Sequence, residues 1–316
     1  MEKLEKTVDM NIQQMINLSV LELVKLGLKY GIFKAVSKKI SYIDLLIQVD
    51  VPNKPLLKKL IDHLKLLGII EETPTHLLLN SFSYEIRFPK EEHMYLLPDW
   101  IPSFEEIYRM VDFALITPNH PHVLMDFDKD ADFWDLRLSS TFHEAYRILI
   151  AKLGEIGEGS RVLDIGCGSA SPAYFGKLVG EEGEYVGVDY SPALLEIAKN
   201  RTEGLPVKLK EMDASLIKPK NKYDVAIMSF VLEYIENRRS ALRNALDSLE
   251  SGGKLIIVDA FKDEFRNVEA LEFFEGLNSA FREYPSKKYI KEVILDEGFE
   301  VKFGDYGKAI LLIEKL

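Results

Sequence analysis

The stretch from Arg161 to Asp189 constrains the fold more than any other part of the chain. Val162, Leu163 and Ile165 form the short apolar run expected of a strand buried on both faces. The run ends in Gly166-Cys167-Gly168, where missing β-carbons let the backbone turn sharply and approach a ligand. Pro172 suits the first turn of a helix, with Ser169 or Ser171 placed to cap it. A second apolar run, Tyr185 to Val188, ends in the acid Asp189. Strand, glycine loop, helix, strand and acid together outline a nucleoside-binding βαβ unit.

Two details separate this unit from a dinucleotide site. The third glycine position of G-x-G-x-x-G is Ser171, and Asp164 stands two residues before the first glycine, where it would repel a pyrophosphate. A carboxylate there suits a ligand that carries an amine. S-adenosylmethionine is such a ligand, with an ammonium, a sulfonium and a ribose but no phosphate. The plain alternative is a glycine-rich turn in some other α/β protein.

From Arg161 onward strands and helices alternate. Strands are expected at 161–166, 185–189, 207–212, 223–229, 253–260, 299–304 and 309–314. Helices are expected near 172–180, 192–202, 238–250, 264–281 and 286–297. This order predicts a mostly parallel, doubly wound α/β sheet of seven strands. Only Asp305 to Lys308 join the last two, so they must form an antiparallel C-terminal hairpin.

The chain has 316 residues, a length that suits about two domains. We expect a domain at 1–90, a helical connector at 91–155 and the sheet domain at 156–316. Residues 8–36 carry Val8, Ile12, Met15, Ile16, Val20, Leu23 and Leu28 around most of a helical projection, which calls for burial, here against a second subunit. Helices at 41–49 and 54–67 and a small β-wing at 68–79 then give a winged helix-turn-helix outline. Its second helix holds Lys54, Lys58, Lys59 and Lys65 but no arginine, which favours dimerisation over DNA binding. The connector is broken by Pro89, Pro98, Pro102, Pro118 and Pro121. It should end in one helix from Phe133 to Ile150, with Phe133, Trp134, Phe142 and Tyr146 as candidate pocket residues. Ordinary packing between domains is the competing reading of each.

Charge is uneven. Residues 1–90 contain 13 Lys and Arg against 10 Asp and Glu, a net of +3, which leaves −14 of the total −11 for the rest. Nucleic acid is therefore an unlikely partner for the sheet domain. The single cysteine, Cys167, excludes an internal disulfide framework and fits a cytoplasmic protein. The most apolar early stretch, Met10 to Leu28, is too polar to span a bilayer. Asp126 to Asp132 imitates a calcium loop but has Ala131 where glycine is needed and Arg137 where glutamate is needed, so no metal is expected.

Ligands of an open α/β sheet sit at the carboxyl ends of its strands. Asp189 ends the second strand, where it can accept both ribose hydroxyls. Asp213 ends the third and can accept from an adenine amino group, while Tyr190 and Met212 can hold the adenine face. A lone strand-terminal aspartate is usually a cap. Asp164, Asp189 and Asp213 at spacings that fit one adenosine are more telling.

Val162 to Gly168, Gly187 to Ser191, Tyr223 to Ala226 and Ser251 to Leu255 resemble the class I S-adenosylmethionine-dependent methyltransferases, over about 160 residues. With the winged-helix outline and helical connector, the whole chain resembles the dimeric small-molecule O-methyltransferases of the plant caffeate and flavonoid type and their microbial relatives. The resemblance implies the Rossmann-like seven-stranded sheet, S-adenosylmethionine as cofactor with S-adenosylhomocysteine as product, and a homodimer formed by the N-terminal domain. It implies cofactor contacts at Gly166, Gly168, Asp189, Asp213, Ala214 and Ser229, to which Asp164, Cys167, Tyr190, Met212 and Phe230 are added as neighbours.

One departure from that family bears on the chemistry. Its members place a histidine base after the fourth strand, and aligning Met228 to Tyr234 there puts Glu233 in its place. Glu233 is the candidate general base, Asp259 the candidate that orients the acceptor, and Tyr234 a candidate substrate contact. A small-molecule acceptor methylated on a hydroxyl is the expectation. N- or C-methylation, non-methylating use of the cofactor, and a cofactor-sensing DNA-binding regulator are the alternatives.

Overall fold

The computed structural model describes residues 1–86, 95–218 and 223–316. Pro89 and the expected boundary at 90/91 lie outside the described residues. The chain opens with α1 (Glu2–Lys29), whose Val8, Ile12, Ile16, Val20 and Leu23 are wholly buried. That burial is supplied from within the chain, by helices introduced below, so the apolar surface of α1 does not itself require a second subunit. Asp9 anchors it by accepting the backbone N–H groups of Lys308 and Ala309 at 2.8 and 2.9 Å.

Next come α2 (Ile32–Val36), α3 (Tyr42–Gln48) and α4 (Lys54–Leu66), then a hairpin of β1 (Ile70–Glu72) and β2 (Leu77–Leu79). Ser41 caps α3 by accepting the Asp44 N–H, and Asn53 caps α4 by accepting the Leu56 N–H. Three of the four lysines on α4 are engaged within the chain. Lys54 donates to the Leu46 and Val49 carbonyls, Lys59 to the Gly276 carbonyl, and Lys65 pairs with Glu72 at 2.6 Å. An ammonium tied in this way is not free to meet a phosphate.

The connector holds α5 (Ile101–Ile116), α6 (Ala131–Leu138) and α7 (Thr141–Gly154). The single helix expected from Phe133 to Ile150 is thus two, broken at Ser139 and Ser140. Ser140 takes an extended backbone at the start of α7. Its hydroxyl makes no cap bond and lies 2.8 Å from His143 Nδ1.

The sheet domain runs β3 (Arg161–Ile165), α8 (Ser171–Val179), β4 (Glu184–Asp189), α9 (Pro192–Arg201), β5 (Val207–Glu211), β6 (Tyr223–Ser229), α10 (Arg238–Ser248), β7 (Leu249–Val258), α11 (Val268–Glu275), α12 (Lys287–Asp296), β8 (Val301–Tyr306) and β9 (Ile310–Lys315). The strands stand in the order β5-β4-β3-β6-β7-β9-β8, six running one way and β9 antiparallel to both its neighbours. Order reverses between β3 and β6, which opens a crevice beyond their carboxyl ends. Helix 264–281 shrinks to α11. Asn267 is left-handed before it, Gly276 ends it, and the chain then turns irregularly to Pro285. Helices α7 and α11 lie against α1, which joins the N-terminal third to the sheet domain.

Neither serine expected to cap α8 does so. Ser169 Oγ donates to Asp135 at 2.6 Å, and Ser171 Oγ accepts from Arg147 Nε at 2.9 Å. Both hydroxyls are spent on holding the connector against the glycine loop. No helix among the described residues is long and apolar enough to cross a membrane.

Candidate active site

A cavity of about 400 Å³ lies beyond the carboxyl ends of β3, β4 and β6. Gly166, Gly168, Asp189, Tyr190, Met212, Asp213 and Ala214 line one end, and Ser229 and Phe230 line its floor. Ile12 and Met15 of α1, Trp100, Phe127, Trp134, Arg137 and Phe142 of the connector, and Leu271 and Glu275 of α11 build the other end.

The cradle end is shaped by bare backbone. Gly166 and Gly168 have φ of +74° and +57°, and a β-carbon at Gly166 would collide with Val231. Asp189 Oδ2 accepts the Gly168 N–H at 2.7 Å and Oδ1 accepts the Ser191 N–H at 2.9 Å. The acid ending β4 therefore fixes the loop ending β3 and still presents lone pairs to the cavity. Asp213 Oδ1 accepts both the N–H and the hydroxyl of Ser215, the local cap that a strand-terminal aspartate usually provides, while its residue also lines the cavity.

These residues fit S-adenosylmethionine. Two glycines leave room against the loop, a carboxylate stands at the second strand end, and Tyr190 and Met212 flank it with apolar surface. Among the described residues, the cavity lining at the glycine loop holds no cluster of basic groups that would call for a phosphate.

Five expected contacts are placed elsewhere. Asp164 is wholly buried behind the cavity wall, accepting from Tyr185 Oη–H at 2.6 Å, with Oδ1 unpartnered among the described residues. Burial pushes its carboxyl up to about 7. Cys167 turns its Sγ toward Gly187 in the core. Phe133 packs edge-on against Trp134 instead of lining the cavity. Tyr146 stands behind the wall, ring against Phe230 and hydroxyl bonded to Ser229. Asp259 does not reach an acceptor directly, because its carboxyl is wholly buried against that of Glu233.

The Glu233–Asp259 pair is the main electrostatic feature of the site. Glu233 lines the cavity with its carboxyl buried beside that of Asp259, and neither Glu233 Oε2 nor Asp259 Oδ2 has a hydrogen-bond partner among the described residues, an arrangement that favours one proton held between the two. Burial, and then the charge of Asp259, push Glu233 well above the usual carboxylate range. Burial raises Asp259 to about 7. Asp259 Oδ1 also accepts the Ala260 N–H at 2.8 Å. Glu233 sits in a short 3-10 turn that follows Phe230, a non-glycine residue at φ +49° whose ring is packed among Phe142, His143 and Tyr146.

Two features escaped sequence reasoning. His143 lines the cavity from α7, although it lies far in sequence from the fourth strand where a histidine was sought. Arg137 and Glu275 form a buried ion pair at 2.7 Å in the acceptor end. The hydrogen bond from Tyr234 Oη–H to Glu275 at 3.3 Å ties Tyr234 to the same cluster.

Residues 163–255 match the family model described as a methyltransferase domain. The fold and this match define a class I S-adenosylmethionine-dependent methyltransferase. The chain belongs to the same family as the uncharacterized protein MJ0906 of Methanocaldococcus jannaschii, with 34% identity over 99% of this chain and 88% of that protein. The ubiquinone/menaquinone biosynthesis C-methyltransferase UbiE of Azotobacter vinelandii is 26% identical over 52% of this chain and 75% of its own. Two solved structures share the fold across nearly the whole chain. The CurJ carbon methyltransferase has TM-score 0.63 and 16% identity, covering 99% of this chain and 91% of that one. The citrinin polyketide synthase CMeT domain has TM-score 0.61 and 14% identity, covering 98% and 88%.

Proposed function

We propose that this methyltransferase alkylates a carbon of a small acceptor that becomes nucleophilic by losing an acidic proton, an enol or a phenol. The observation that carries this reading is the buried carboxyl pair at the cavity floor. A pair that holds one proton carries one negative charge, and burial makes that charge a stronger base than an exposed carboxylate. Glu233 holds the pair's proton, since the charge of Asp259 raises it, and passes that proton to Asp259 as it takes the acceptor's, which leaves both carboxyls neutral. An amine acceptor would need no such base before attack. The sequence likeness to a C-methyltransferase supports carbon as the site.

S-adenosylmethionine, when bound, supplies a methyl group on a sulfonium that is its own leaving group. The remaining work falls to this chain. Gly166, Gly168, Asp189, Tyr190, Met212, Asp213 and Ala214 bind and orient the cofactor. Trp100, Trp134, Phe142 and Leu271 exclude water and align the nucleophile in line with the methyl. Oxygen as the methylated atom is the second reading, because the same pair can accept a hydroxyl proton. Phenols, 1,3-dicarbonyl compounds and amines incubated with methyl-labelled cofactor, with the product position read by NMR, decide between them. Label found only on the amines would overturn both.

A further inference from the structure

One hydrogen-bond donor of a cavity-lining residue has no partner among the described residues. Trp134 is 5% exposed, and its Nε1 has no hydrogen-bond partner among the described residues. Leaving a buried donor unpaired costs about 1–3 kcal/mol, so such a group in a cavity wall marks a place for a ligand's oxygen. The Arg137 guanidinium lies 4.8 Å from the Trp134 ring centre and carries positive charge into the same wall.

His143 supplies a second donor. Its Nδ1 is occupied by Ser140, whose hydroxyl serves the imidazole instead of capping α7. With Ser140 Oγ–H as the donor to Nδ1, the ring proton stands on Nε2, the tautomer the proposal below assigns. Burial and the charges of Arg147 and Arg137 keep the ring neutral, which makes it a poor proton acceptor and leaves it free to donate.

We propose that Trp134 Nε1–H and His143 Nε2–H together receive an oxygen of the methyl acceptor, which restricts the acceptor to carbonyl, enol or phenol compounds held by that oxygen. The inference rests on the function proposed above, in which Glu233 takes the acceptor's proton. Negative charge then develops on this oxygen, and fixed donors in a site closed to water stabilise it more than solvent would. A neutral amine would lose its attacking lone pair to these donors.

The test uses the whole protein with S-adenosylhomocysteine, titrated with 4-nitrophenol and with 4-nitrotoluene as its isostere without the oxygen. The wild-type protein is expected to prefer the phenol at least about tenfold. Trp134→Phe and His143→Phe keep a ring without the N–H. Each should lower that preference about tenfold, as loss of a bond to a charged oxygen does. Trp134 also shapes the cavity wall, so the loss is read as the ratio of the two probe affinities, while S-adenosylhomocysteine binding by calorimetry should stay within about twofold in both variants. His143→Gln, which retains a donor, should keep most of the preference. A wild-type protein without the preference, Phe variants that keep it, or equal losses for both probes would each overturn the proposal. Turnover unaffected by Glu233→Gln would sink the proton-acceptor reading alone, since the phenol preference is measured without turnover.

Discussion

Arg137 on α6 and Glu275 on α11 meet in a buried ion pair, Nη2 to Oε1 at 2.7 Å, that ties the connector to the sheet domain across the acceptor end of the cavity. Trp134 and Trp100 lie beside the guanidinium at 4.8 and 6.0 Å, so the charge has aromatic surface and one carboxylate as its surroundings. Removing one partner of such a pair leaves the other buried without compensation. Glu275→Gln should cost about 3–5 kcal/mol in chemical unfolding, and Arg137→Met with Glu275→Leu together should recover most of it. Equal losses in the single and double variants would show that packing, not charge, dominates.

Glu233→Gln keeps the shape of the side chain and removes its basicity. Turnover should fall about 10²–10⁴-fold, the range general base catalysis contributes, with cofactor affinity near normal. Steady-state rates beside calorimetric titration check this, and unaltered turnover removes Glu233 as the base.

Asp189→Ala should abolish cofactor binding, because the same carboxylate holds Gly168 and presents the remaining lone pairs to the crevice. The expected loss is a hundredfold or more, as for two hydrogen bonds to a charged group at about 1.5–3 kcal/mol each. Unchanged affinity in calorimetry would refute the assignment of this crevice.

Asp164 makes stability depend on pH in an unusual direction. Its folded value of about 7 lies above its ordinary value of 3.8, so the folded state holds a proton that the unfolded state releases. Stability from this group is complete below its ordinary value and is lost as pH rises to about 7, at up to about 1.4 kcal/mol per pH unit. Asp164→Asn should therefore flatten the fall in stability between pH 4 and 7. An unchanged slope would mean that the carboxyl is ionised in the fold.

Much of the sheet domain was legible because its signals are local. Val162, Leu163 and Ile165, and Val225 to Met228, are short apolar runs, and each became a central parallel strand within a residue or so of the expected bounds. The glycine loop and the acid ending β4 were equally plain, since a left-handed turn and a strand-terminal carboxylate leave a residue-level mark. What stayed hidden depends on distant partners. The meeting of Glu233 with Asp259 requires β6 and β7 to be neighbours, and their raised proton affinity comes from burial that no spacing reveals. His143 lies far in sequence from the end of the fourth strand, and the fold brings it in from α7. Ser140 falls inside the expected helix, although serine competes poorly there and favours the start of a helix. That composition was the available clue to the break between α6 and α7. Asp164 shows the reverse error, since an acid beside a glycine loop looks like a ligand contact until the strand's two faces are known.

The anchoring of Asp9 to Lys308 and Ala309 has a consequence for how the molecule comes together. Ile12 and Met15, one to two turns further along the same helix, line the cavity, and the turn between the last two strands holds that helix through Asp9. A ribosome delivers these two parts some 300 residues apart. Maturation of the binding chamber is thus a late, long-range event. Until then, the cofactor half can form around a chamber that is still open on one side.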